Sequence, residues 1–317
     1  MTRDPLPAPS SDAGREATLG GVYAFAAYLL WGLFPLYFLA LAPAGPFEIV
    51  SWRVVLSLVF CVLLLAITRG WRTLGAILRR PRLLMWTAVA GGLILVNWTV
   101  YLVATLTGHV IETSLGYFIN PIVTVLLAVV VLRERLRVAQ WIAIGIATVA
   151  VVVIVIGYRS FPWIALALAF SFGFYGLVKK RLGPSVGAIN GLTLESLWIT
   201  PVAIVVLAVI GASGGLAMGT SGVGHALLLS CAGIVTAVPL LLFAAGARRA
   251  PLSLVGLLQF VAPLLQFALG VWILGEPMPL ERWIGFGLVW VSLIVLTVDS
   301  FAASRRRRGV SDVAELT

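Results

Sequence analysis

Ten stretches of the chain are apolar almost without interruption, at residues 20–42, 47–68, 83–106, 110–132, 138–157, 161–178, 186–211, 225–247, 251–274 and 281–301. Each is close to the roughly 20 residues a helix needs to cross the hydrocarbon core of a bilayer. The alternating apolar and polar positions of a membrane barrel are absent, so the pattern predicts ten transmembrane α-helices. The connections are short. The longest are the basic segment around 69–82 and the Gly/Ser-rich one around 211–224, and no soluble domain fits between spans. Residues 1–18, with Pro5, Pro7 and Pro9, read as a disordered tail. Residues 302–317 read as an Arg-rich, then acidic, solvated tail. The first run is too long for a signal-peptide core and is expected to stay as an anchor.

The pattern in 115–155 recurs at 257–297. A shift of 142 residues matches Leu115 with Leu257, Phe118 with Phe260, Pro121 with Pro263, Glu134 with Glu276, Trp141 with Trp283 and Gly145 with Gly287, without a gap. Apolar matches arise by chance in greasy segments; Pro, Glu, Trp and Gly in register do not. The same shift places Arg53 on Glu195 and Asn97 on Pro239, while a shift of 141 places Ala24, Ala26 and Gly32 on Ala165, Ala167 and Gly173. The chain is therefore read as two five-helix repeats, 19–157 and 158–301. Five is odd, so the second repeat must enter the membrane upside down. Inverted repeats can exchange conformations and open a midplane site alternately to each side. Pro121 and Pro263 fall mid-span, where each removes a backbone hydrogen bond and permits a bend.

Composition agrees with a lipid environment. Of 317 residues, 61% are hydrophobic and 11% charged, with mean hydropathy +1.08, more apolar surface than a soluble core of this size can hide. The net charge of +10 suggests nucleic acid at first sight, but the placement of the cations explains it better. With the N-terminus in the cytoplasm, 19 of the 22 Lys and Arg fall in inner segments; Arg159 and Arg282 lie outside and Arg53 lies within a span. The positive-inside rule thus gives both termini a cytoplasmic position. Cys61 and Cys231 fall inside spans and read as packing residues.

A charge at mid-span persists only with a partner or a watery cavity. Arg53 and Glu195 occupy equivalent depths in the two repeats. They either pair directly, or hold an anionic and a cationic group of a substrate, or lock spans two and seven as a structural ion pair. Glu48 and Glu112, near outer span ends, read as solvated vestibule carboxylates or as carriers of a coupling proton. Asn97, Tyr117, Asn120, Gln259 and Gln266 lie deeper and serve either interhelical hydrogen bonding or cavity lining. Trp71, Trp86, Trp141, Trp163 and Trp283 read as interfacial belt residues. Trp31, Trp98, Tyr101, Tyr175 and Trp198 lie further in, placed for packing or for stacking on a flat or cationic substrate. His109 sits beside an outer loop.

Hydrolase, zincin and phosphate-binding glycine motifs are missing, two isolated histidines cannot build a zinc site, and no room exists for a nucleotide domain. Neither enzyme activity nor a metal or cofactor is expected. The strings SLGYFINP at 114–121, FSFGFYGLVKK at 170–180, AYLLWGLFPLYF at 27–38 and LGEP after span nine resemble the EamA-type drug/metabolite transporter superfamily over nearly the whole chain. The resemblance implies ten helices in two inverted repeats, a permease of the bacterial inner membrane, and an association with chloramphenicol resistance; it names no ligand. The expected function is a secondary transporter of a small organic metabolite or drug, driven by a proton or solute gradient, as a monomer or homodimer. Arg53, Glu195, Tyr117, Asn120, Gln259 and Asn97 are its candidate cavity residues, with Trp31, Trp98 and Tyr175 as aromatic lining. The alternative is a receptor or assembly factor without flux.

Overall fold

The structure, a computed structural model, describes residues 11–133, 136–158, 161–182, 185–250 and 252–314. The first half of the chain forms α1 (Ser11–Leu39), α2 (Pro46–Ile67), α3 (Trp71–Leu78), α4 (Pro81–Leu106), α5 (Val110–Leu132) and α6 (Val138–Tyr158). The second forms α7 (Trp163–Leu182), α8 (Ala188–Ala212), α9 (Val223–Ser230), α10 (Ala232–Arg249), α11 (Leu252–Leu258), α12 (Val261–Ala268) and α13 (Leu280–Ala314), with a π-helical turn at Leu269–Ile273. Taking α9 and α10 as one, nine helices among the described residues are long and apolar enough to cross a membrane, and a shorter apolar helix runs Val261–Ile273. Helices dominate because a backbone in lipid must satisfy its own hydrogen bonds. Proline opens α2 and α4 at Pro46 and Pro81, where its missing N–H has no intrahelical partner to lose.

The fold carries a two-fold exchange. α2 packs on α8, α5 on α12 and α6 on α13, each helix against its equivalent in the other half. The remaining large contacts between halves come in exchangeable pairs: α5–α7 with α12–α1, α1–α10 with α7–α4, and α2–α10 with α8–α4. Swapping the halves turns this pattern into itself, as two inverted five-span repeats require. Small residues allow the closest of these contacts. Ala143, Ala147 and Ala150 on α6 are buried against Phe286, Val289 and Leu293 on α13, and Ser292 Oγ donates to the Ala143 carbonyl at 2.7 Å. By contrast Phe25, Val59, Val152, Val205 and Ile294 are exposed apolar side chains that lipid would cover.

Several expectations change. The segment around 69–82 is not a plain loop: α3 turns Leu74 and Ile77 into a core with Leu65 and Leu182 and leaves Trp71 exposed. Within the expected tail 1–18, α1 begins at Ser11, and Glu16 pairs with Arg249 at 3.1 Å on the end of α10; residues 1–10 lie outside the described residues. The helical backbone of α13 continues past 301 through the Arg305–Arg308 cluster. The ninth span is not one helix. Pro263 offers no N–H to the Gln259 carbonyl one turn back, and the chain breaks at Gln259–Phe260, leaving Pro263 in the first turn of α12. Pro121 is different: α5 runs through it as one helix. Glu134, the match of Glu276, lies outside the described residues.

Candidate functional site

Two buried charges mark the contact between the halves. Arg53, on α2, is 4% exposed. Its Nε donates to Thr236 Oγ1 of α10 at 2.7 Å, and its guanidinium lies 4.1 Å from the ring centre of Trp98 on α4. The rings of Phe38 and Phe34 on α1 follow at 5.4 and 5.6 Å. Aromatic faces attract a desolvated guanidinium through their quadrupoles, which is how these apolar helices tolerate the charge.

Glu195, on α8, is 1% exposed and is satisfied differently. Lys179 donates to its Oε1 at 2.7 Å and Tyr175 to its Oε2 at 3.0 Å, both from one face of α7 because they are four residues apart. Of the alternatives open in the sequence, direct pairing of Arg53 with Glu195 is therefore not observed: each charge has other partners. Lys179 was counted with the inner-face cations; its long stem instead carries the ammonium down to the carboxylate, with the side chain still 31% exposed.

A third polar knot joins α4, α5 and α7. Asn97 is buried, and its Nδ2 donates to the Leu168 carbonyl at 3.2 Å and to Ser171 Oγ at 3.0 Å, while its Oδ1 accepts from Tyr117 at 3.3 Å. Tyr117 packs beside Tyr101, ring centres 5.9 Å apart. Asn120, on α5 opposite Gly173, has a buried Oδ1 with no hydrogen-bond partner among the described residues. Gln259 is half-buried at the break between α11 and α12. Trp31 packs with Tyr28 and Phe243, and its carbonyl accepts from Gln266 at 3.1 Å. Trp198 faces outward, 47% exposed, with its indole N–H on Thr87.

The acidic residues at the span ends accept hydrogen bonds from backbone N–H groups of the opposite half, with Glu48 buried and Glu112 half-buried. Glu48 is 2% exposed and accepts from the backbone N–H groups of Ala217 at 3.0 Å and Met218 at 2.9 Å, because the 213–222 connection folds over it. Glu112 accepts from the Ile164 N–H at the start of α7, and Glu276 from the N–H groups of Val110 and Ile111 at the start of α5. Free N–H groups at a helix N-terminus favour a carboxylate there. Burial nevertheless pushes the Glu276 carboxyl above its ordinary range, and the Ile111 and Val110 N–H groups pull against that shift. His109, nearby, shares a 3.0 Å hydrogen bond with Thr107. Cys61 is buried, whereas Cys231 is exposed at the junction of α9 and α10.

Thr236, Phe34, Phe38 and Lys179 are the members of these sites that sequence reasoning passed over. The signal was the repeat itself: a shift of 141 places Phe34 and Phe38 on Tyr175 and Lys179.

Comparison with known proteins gives a consistent result. The model of the EamA-like transporter family matches residues 18–156 and again 161–298. "Protein RarD" of Streptomyces exfoliatus is 47% identical over 305 residues, covering 96% of this chain and 96% of that one. An "Uncharacterized transporter" of Vibrio cholerae is 37% identical, covering 93% and 97%. "Chloramphenicol-sensitive protein RarD" of Pseudomonas aeruginosa is 31% identical, covering 92% and 98%. A solved crystal structure with 20% identity superposes with a TM-score of 0.56 over 89% of this chain and 98% of that one, a likeness of fold.

Proposed function

The chain belongs to the EamA-like transporter family, and from that premise we propose that it is a secondary transporter moving a small organic solute across the bacterial inner membrane by alternating access, driven by a proton or solute gradient. The observation that carries the reading is the exchange symmetry of the helix contacts around buried charged groups at the junction of the halves. Two equivalent bundles can trade conformations at little net cost, because the outward-open state of one half mirrors the inward-open state of the other. Charges retained at depth in such a place mark a substrate path more often than a scaffold. Arg53, Trp98, Asn97 and Tyr117 are the proposed centre, with Asn120 beside them and the Glu195–Lys179–Tyr175 triad on the equivalent position of the second half. Trp31 falls to the α1–α12 seam, and Gln259 to the break before α12, which gives a moving segment. The chloramphenicol association in the name of the Pseudomonas relative makes amphenicols candidate solutes alongside amino acids, amines and carboxylates.

Counterflow tests this. Purified protein in liposomes preloaded with unlabelled solute is expected to accelerate uptake of the same labelled solute several-fold over protein-free vesicles for at least one class. Folded protein that binds a solute yet moves none would replace the transporter by a receptor.

Both termini are proposed to be cytoplasmic, on the cation placement. With Cys61 and Cys231 replaced by alanine, Arg137→Cys is expected to react with an impermeant maleimide only from the cytoplasmic face and Pro277→Cys only from the opposite face. Labelling of both from one face would contradict the inverted arrangement and the orientation together.

A further inference from the structure

The second half neutralises its buried charge and the first half does not. Phe34 and Phe38 stand in the first repeat where Tyr175 and Lys179 stand in the second, just as Arg53 stands where Glu195 does. The correspondence is also spatial, since Arg53 contacts Phe34 and Phe38 as Glu195 contacts Tyr175 and Lys179. Where one half turns an ammonium toward a carboxylate, the other turns a phenyl ring toward a guanidinium. Among the described residues no carboxylate pairs with Arg53.

The hydrogen bonds of Arg53 are equally incomplete. Nε is engaged by Thr236, and among the described residues the four N–H donors of the two terminal nitrogens have no acceptor. The guanidinium carbon lies 4.1 Å from the Trp98 ring centre, and the donors left are those of the two terminal nitrogens, an edge that can match a carboxylate bidentately. A further buried oxygen nearby is also without a hydrogen-bond partner among the described residues: Ser57 Oγ, one turn along α2 from Arg53, on a side chain that is fully buried. A lone charge with spare donors is costly to keep in a helix bundle unless something of opposite sign visits it.

We propose that Arg53 is the anion-binding point of the transported solute, and that the cargo is a carboxylate-bearing monoanion with an apolar or aromatic body. Glu195 already has its charge met by the Lys179 ammonium and each oxygen holding one donor, so the cationic group of a zwitterion or amine finds no unpaired counter-charge there. The proposal rests on the transporter reading above for the word cargo, but the site itself does not. In the described state Arg53 is only 4% exposed, and the solute reaches it when the halves rearrange.

The test uses arylalkanoates (benzoate, phenylacetate and 3-phenylpropionate) beside the corresponding primary amides and arylalkylamines, read by thermal shift on the purified full chain. Carboxylates are expected to stabilise the protein at concentrations at least about tenfold lower than their amides or amines, since a charge-assisted bidentate contact is worth that factor or more. Arg53→Gln is expected to erase the difference. Amides or amines that bind as tightly as carboxylates, no shift by any carboxylate, or a carboxylate preference that survives Arg53→Gln would each overturn the proposal. Should Arg53→Gln not fold, Arg53→Lys decides: carboxylate binding weakened about tenfold with amide binding unchanged supports a bidentate site, and unchanged carboxylate binding refutes it. Counterflow with the same compounds separates the two readings. Arg53-dependent binding of carboxylates without flux of any solute removes the transporter and keeps the anion site; flux of amines or amides indifferent to Arg53 does the reverse.

Discussion

Lys179→Met is expected to destabilise the folded protein by about 3 to 5 kcal/mol, the usual cost of leaving one member of a buried ion pair without its partner. The magnitude comes from Glu195 and not from the lysine. The lysine side chain is 31% exposed and loses little by removal, whereas the carboxylate is 1% exposed and, among the described residues, keeps only the Tyr175 hydroxyl. Adding Glu195→Gln to Lys179→Met is expected to recover most of the loss, because a neutral amide in that place no longer needs an ammonium. Melting temperature or denaturant midpoint of the purified protein measures both steps. A double variant as unstable as the single one would show that the lysine contributes by packing alone. Counterflow on the folded double variant then asks a separate question: retained flux would leave the triad as scaffold, and lost flux would put it on the solute path.

The sequence shows the large-scale plan because lipid imposes a crude rule. Any helix that crosses must be apolar for about 20 residues, and any duplication keeps its odd residues in register, so Pro, Glu, Trp and Gly at a fixed shift reveal two equivalent bundles. Side-chain reach is not written that way. Lys179 stands beside Lys180 and Arg181 at a span end, yet a four-carbon stem lets it act about one turn deeper. Glu48 was read as wet because it lies near the mouth of a span, but the connection at 213–222 folds across it and turns two backbone N–H groups inward. Arg53 and Glu195 share a depth, and equal depth says nothing about which neighbour each faces. Arg53 meets a threonine on α10 and Glu195 two side chains on α7. The break at Gln259–Phe260 shows the same limit in the backbone: Pro121 and Pro263 match in sequence, and only one of them interrupts its span.

Gly91 and Gly233 are a matched pair whose meaning needs the structure. They lie at the 142-residue shift, on α4 and α10, where those helices cross α8 and α2. A Cβ on Gly233 would fall 2.5 Å from the Leu56 carbonyl carbon and oxygen, and one on Gly91 would fall 2.9 Å from the Glu195 carbonyl oxygen. Backbone atoms cannot rotate away as a side-chain tip can, so the helices themselves would have to separate. Gly145 and Gly287 also match at that shift, but a Cβ on either meets nothing within 4 Å. The same substitution is therefore expected to act with opposite sign. Gly145→Ala gains helix propensity and is expected to be neutral or stabilising by up to about 1 kcal/mol. Gly233→Ala is expected to destabilise by about 1 to 3 kcal/mol through overpacking. It should also push α10 off α2, three residues before Thr236, and loosen the only hydrogen bond that Arg53 makes among the described residues. Paired melting curves decide the matter: similar effects at Gly145 and Gly233 would mean that α2 and α10 are not held at this close approach, and that the seam around Arg53 is set by other contacts.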